Sequence, residues 1–144
     1  MFHAPDYDAL NQYLAEIRSK NFQWHTWDCL HFIDAAWLSC WGRPLAGKDV
    51  RDRIVEGGLY KRRTALIETF GYKTVPDWLD TLAKRHCGLP VRGAAVLVSN
   101  QTPTADRLIG FSFGVSVGSH VATVSYSGVT YVPNEAFDQH WTPT

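Results

Sequence analysis

The chain of 144 residues is long enough for one domain with its own core and too short to argue for two. Hydrophobic residues make up 45% of it and charged residues 19%, which excludes a disordered chain. Lys and Arg together number 14, as do Asp and Glu, so the formal net charge is zero and the charge pattern of a nucleic-acid-binding protein is missing. We therefore expect a single folded domain over residues 1–144 and no nucleic-acid partner.

The first part of the chain, residues 1–90, is predicted to be mainly helical. Apolar residues recur at helical spacing, a Pro5-Asp6 start signal precedes the first segment, and Asp28 is well placed to cap the second. Glycine follows the last two segments soon after they end, as is typical of helix C-termini. The predicted helices cover residues 6–20, 28–41, 50–55, 63–70 and 75–86.

Residues 91–144 are predicted to be mainly β-structure. The segments are rich in valine, aromatic and small residues, and glycines separate them. The predicted strands cover residues 94–99, 108–117, 120–126 and 129–132. A run of helices followed by a run of strands favours an α+β fold in which the helices pack on a C-terminal antiparallel meander.

The three cysteines, at positions 29, 40 and 87, predict neither a disulfide framework nor a zinc site, because their number is odd and no CxxC pair occurs. Asp28, Cys29 and His31 lie too close along one helix to bind a metal from a common face. Glycine motifs for nucleotides are missing, so we expect no cofactor and no metal. The N-terminus has no signal-peptide pattern and no segment reaches the 18 apolar residues of a membrane span, which predicts a protein made in the cytoplasm without a span.

Cys29 is the candidate nucleophile because it begins a predicted helix. A thiol at that position experiences the positive end of the helix dipole and unpaired backbone N–H groups, both of which favour the thiolate. Two observations oppose this interpretation. Free cysteine is among the most buried residue types, and the neighbouring Asp28 carboxylate disfavours a second negative charge.

The loop before this helix carries Trp24, His25 and Trp27, which together with Asp28 form a possible ligand groove. Such an aromatic surface is equally typical of a protein interface. A cysteine nucleophile also needs a base, and His120, at the start of a predicted strand, is the best candidate among the six histidines. The alternative for His120 is a turn residue that faces water.

The order of these elements resembles a known family. It consists of a tryptophan-led loop, Asp28-Cys29 at the head of an apolar helix, a Gly-Leu-Tyr segment, a further helix, and a β meander that ends in Val132-Pro133 and Trp141. Over nearly the whole chain it resembles the NlpC-type papain-like cysteine peptidases, most closely the compact branch encoded in tailed-phage tail-gene clusters. The resemblance implies a papain-like fold in which the nucleophile-type helix over 28–41 packs on the meander, with Cys29 at the nucleophile position.

The sequence departs from the family pattern at the expected base. The family's histidine corresponds to Leu108, which cannot accept a proton, and the usual Gly-Asp pair is Gly93-Ala94 here. The second polar residue, twelve positions after the base, corresponds to His120. The nucleophile and the orienting position are therefore kept, whereas the base between them is replaced.

Two functional hypotheses follow from the resemblance. The first is a tail-tip or baseplate component of a phage virion, made in the host cytoplasm, with a structural or assembly role, a degenerate site and other tail proteins as partners. The alternative is an active peptidoglycan cysteine peptidase or amidase that aids phage entry and binds the cell-wall peptide stem. In that enzyme Cys29 is the nucleophile, His120 is the base or orienter, and backbone N–H groups at the helix start stabilise the oxyanion.

Overall fold

The computed structural model describes residues 3–21, 28–57, 65–99, 111–125 and 127–144. Within these ranges the chain forms helices first and then mostly strands. The helices are α1 (Tyr7–Glu16), α2 (Cys29–Trp41), α3 (Lys48–Gly57), α4 (Ala65–Phe70) and α5 (Val75–Leu79). The strands are β1 (Lys84–Cys87), β2 (Ala95–Ser99), β3 (Phe111–Ser116), β4 (His120–Ser125), β5 (Gly128–Pro133) and β6 (Gln139–Thr142).

The strands form one antiparallel sheet in the order β1-β6-β2-β3-β4-β5. Strands β2 to β5 follow one another as a meander, as predicted. Strand β6 returns across the sheet and lies between β1 and β2. The predicted α+β class with an antiparallel meander is therefore confirmed, and the sheet is larger than the meander alone.

The C-terminal part of the predicted helix over residues 75–86 is wrong. Helix α5 ends at Leu79, where the amides of Leu82 and Ala83 both donate to its carbonyl and close a tight turn. The chain then extends into β1, which pairs with β6. His86 consequently lies on a strand rather than at a helix C-terminus, and β-structure begins before residue 90.

Helix α2 is the centre of the core. Its predicted apolar stripe is confirmed, because Phe32, Ile33, Ala36, Trp37 and Cys40 are fully buried. The helix packs on the sheet at β3 and β4 and also contacts α1. Helices and strands thus share one hydrophobic core. Cys29, the first residue of α2, lies in this core against the sheet.

Two histidines face each other across β1 and β6. His86 and His140 are directly paired, and their rings stack with centroids 5.1 Å apart and 14° between planes. His86 Nε2 lies 2.7 Å from the Thr142 hydroxyl. His140 is buried, and its Nδ1 has no hydrogen-bond partner within the ranges that the structure describes. Burial, and then the neighbouring His86, lower the pKa of His140 below its ordinary value.

We expect the buried His140 to lower the free energy of unfolding in mild acid. The unfolded chain binds a proton at His140 near pH 6.5, whereas the folded chain binds it only at lower pH. Stability is therefore fully present above about pH 6.5, decreases as the pH falls from there toward the lowered pKa, and levels off below it. Urea unfolding at several pH values would measure this, and His140→Phe should flatten the pH dependence. The exposed His120→Gln should follow the wild type; an equal flattening in both variants would contradict the assignment.

Candidate active site at the start of helix α2

Cys29 is the first residue of α2, as the sequence predicts, and Asp28 is the N-cap. The Asp28 carboxylate accepts hydrogen bonds from the amides of Leu30 and His31, both at 3.1 Å. This satisfies two of the amides that a helix start leaves unpaired. Cys29 is only 1% exposed, because the helix begins against the sheet rather than at the protein surface.

The surroundings of the Cys29 thiol disfavour its ionised form. Burial raises the pKa of Cys29 well above its ordinary value, and the negative charge of Asp28 adds to the increase. Backbone hydrogen bonds at Phe113, Cys29 and Leu30 lower the pKa, but they are the smaller effects. The expected activation by the helix start is therefore outweighed by desolvation, and the thiol is neutral at physiological pH.

His120 does not lie beside Cys29. It is exposed, begins β4 at the turn after β3, and its Nδ1 lies 3.0 Å from the Ser119 hydroxyl. The thiol contacts β3 at the backbone of Phe113, and the next residue of β3, Gly114, pairs with Thr123 of β4. Three residues of strand, roughly 10 Å, separate Thr123 from His120. The described geometry thus leaves His120 out of hydrogen-bond reach of the thiol.

The other predicted site residues divide into two groups. Trp24, His25 and Trp27 of the possible groove, and Leu108 at the expected base position, lie outside the described residues. Asp28 is described and fully buried, and it bonds to the His31 ring, with 2.8 Å between Oδ1 and Nδ1. This Asp28–His31 contact was not predicted, although the i, i+3 spacing on a helix carries the signal for it.

A second buried carboxylate on α2, Asp34, was also missed. It accepts hydrogen bonds from the amides of Ala46 and Gly47, at 2.8 and 2.9 Å, and pairs with Arg51 of α3. Asp34 thereby ties α3 and the loop before it to α2. In the sequence it stands within an apolar run, and its partners at positions 46, 47 and 51 are too distant along the chain for helical spacing to indicate them.

Neither a metal-binding cluster nor a membrane-spanning helix occurs among the described residues. Among the residues described, no three or more His, Cys, Asp or Glu side chains are grouped so that they could hold a metal ion. The helices in the described ranges are too short or too polar to cross a membrane.

Comparison with known proteins gives one match. Residues 3–142 match a family described as a domain of unknown function, DUF6950. No curated protein and no solved structure matches the chain. Since the match covers almost the whole sequence, the protein belongs to the DUF6950 family.

Proposed function

We propose that the protein is a structural or assembly component of a phage tail, at the tail tip or baseplate, built on an NlpC-like, papain-like scaffold with a degenerate catalytic site. The main observation that supports a non-catalytic role is the burial of Cys29 beneath the sheet. The phage-tail context, with other tail proteins as partners, rests on the resemblance of the sequence to the compact NlpC-type branch.

The packing of α2 supports a papain-like scaffold. In the arrangement that the resemblance implies, the cysteine stands at the start of a helix that crosses an antiparallel sheet. Here Cys29 begins α2, and α2 packs on β3 and β4.

The chemistry of the site supports a structural role. A cysteine nucleophile requires a thiolate, a base within about 2.6–3.2 Å and room for a substrate. Cys29 is buried with a raised pKa, and His120 is exposed at the far end of β4. A reactive thiolate is stabilised by a positively charged neighbour, whereas the neighbour of Cys29 is the carboxylate of Asp28, which disfavours the thiolate. Packing is the role that these surroundings favour for the thiol.

We expect iodoacetamide to leave Cys29 unmodified in the native protein up to pH 8.5, because its thiol is buried and neutral. Cys87 is exposed and serves as an internal reference that should react. Mass spectrometry of peptides, before and after unfolding in urea, measures both sites. Modification of native Cys29 below about pH 7.5, faster than that of Cys87, would contradict the structural role.

The alternative function is an active cell-wall cysteine peptidase or amidase. The hydrogen bonds that the Cys29 thiol receives from the backbone favour it, because such donors also stabilise an oxyanion. Incubation of the protein with purified peptidoglycan, followed by chromatography of released fragments, tests this alternative. Release by the wild type that is lost in Cys29→Ala would establish it. The tail assignment is tested separately by mass spectrometry of purified virions, where absence of the chain from tails and tail-assembly intermediates would contradict it.

A further inference from the structure

The face of α2 opposite Cys29 borders a cavity of about 460 Å³. His31, Asp34, Ala35 and Leu38 follow one another at helical spacing along this face, and residues of the following loop and of α3 form the opposite wall. The volume lies within the range typical of small-molecule sites. We call it the α2–α3 cavity.

Two polar groups of the cavity wall are each held in place by a buried carboxylate. Asp28, which is fully buried, binds Nδ1 of His31, and Asp34, which is 4% exposed, binds one terminal nitrogen of Arg51. Asp34 is itself fixed by two backbone amides, so the position of the guanidinium is determined by the fold rather than by a flexible side chain. The His31 ring and the Arg51 guanidinium are therefore preorganised in the cavity wall.

These two groups keep unused hydrogen-bonding capacity toward the cavity. The His31 side chain is 25% exposed and that of Arg51 is 22% exposed. Within the described part of the chain, the remaining nitrogen of the His31 ring and the other nitrogens of the Arg51 guanidinium have no protein partner. A planar guanidinium with free N–H groups matches the geometry of a carboxylate or a phosphate.

The charge and the apolar surface of the cavity indicate the kind of ligand. Three cations line it, Lys20, Lys48 and Arg51, and among the described residues of its wall Asp34 is the one acid. Arg51 pairs with Asp34, and Lys48 pairs with Asp52 outside the wall, so the cations outnumber the acids within the cavity itself. Leu38 is 57% exposed beside these cations. A ligand that carries an oxyanion at one end and a short apolar part at the other would satisfy both features.

We propose that the α2–α3 cavity binds a small organic molecule bearing a carboxylate or phosphate group, with the Arg51 guanidinium donating to the oxyanion, His31 lining the site beside it and Leu38 contacting the apolar part. The site does not depend on the proposed tail role, because it rests on the cavity residues alone, and Cys29 does not line the cavity. It adds a ligand-binding function to a scaffold whose thiol is inert.

Titration of the full-length protein with inorganic phosphate, phenyl phosphate and butyrate at constant ionic strength tests the proposal. The His31 ring signals in the NMR spectrum report binding directly. We expect the chemical shift change to saturate with a Kd in the millimolar range or below. A probe with an apolar part should bind with the lower Kd. Saturation by phenyl phosphate alone identifies a phosphate ligand, and saturation by butyrate identifies a carboxylate. A linear, non-saturating response to all three probes would overturn the proposal.

Two variants and a control locate the site. Arg51→Gln should weaken binding about tenfold, because a charge-assisted hydrogen bond is lost. Since Arg51 also pairs with Asp34, the exposed Lys48→Gln serves as a second variant that leaves the fold intact, with an expected two- to threefold weakening. Arg53→Gln is the matched control, because Arg53 lies on the same helix but donates to the Thr69 carbonyl. Unchanged affinity in both Arg51→Gln and Lys48→Gln, or equal weakening in Arg53→Gln, would contradict this site.

Discussion

Replacement of Asp34 by alanine is expected to lower the free energy of unfolding by about 3 kcal/mol. The carboxylate is buried and accepts two backbone hydrogen bonds in addition to its pair with Arg51. Its removal leaves two amides without an acceptor in a partly buried turn and a guanidinium without its counter-charge. Because these groups connect α3 to α2, the loss affects the packing of a whole helix.

Urea unfolding followed by far-UV circular dichroism measures this effect. Asp52→Ala is the matched control, because Asp52 is an exposed carboxylate on α3 whose pair with Lys48 is solvent-screened. The midpoint for Asp52→Ala should equal that of the wild type. A loss below about 1 kcal/mol for Asp34→Ala would mean that the turn relaxes and finds other partners.

Replacement of Trp37 by alanine is expected to cost about 3–5 kcal/mol, because a large buried ring is removed and the surrounding core collapses only in part. Trp37 is fully buried in the middle of α2, where its ring makes an edge contact with that of Trp41. The adjacent Leu38→Ala provides the control, since Leu38 is on the same helix but mostly exposed and should change stability little.

Trp37→Phe separates packing from hydrogen bonding at this position. The indole Nε1 is buried and has no hydrogen-bond partner among the residues that the structure describes. Phenylalanine removes that unsatisfied donor together with part of the ring, so the expected loss is less than half of that for alanine. A loss for Trp37→Phe equal to that for Trp37→Ala, by the same urea unfolding, would show that the indole nitrogen has a partner.

The parts of the fold that the sequence predicted correctly depend on local chemistry. The start of α2 follows from the Asp28 cap and from the helical spacing of its apolar residues, and neither requires knowledge of the rest of the chain. The meander strands were found for the same reason, because valine-rich segments between glycines are recognised locally.

The parts that were missed depend on partners distant in the sequence. Strand β1 is a short polar segment, Lys84–Cys87, whose extended form is stabilised by β6, so its composition alone favoured continuation of a helix. The state of Cys29 could not be predicted either, because the helix start raises reactivity and burial lowers it. The burial of the thiol in the folded core, which involves residues distant in the sequence, decides which effect is larger.

The place of β6 in the sheet has a consequence for how the chain folds during synthesis. Strand β6 is the last in chain order of the six strands that the structure describes, yet it lies between β1 and β2. As the chain leaves the ribosome, the helices and the meander emerge before residues 139–142. Until then, β1 and one edge of β2 lack the strand with which they pair. The nascent sheet therefore lacks the strand that joins β1 to β2, and its completion is a late, non-local step that follows translation of β6.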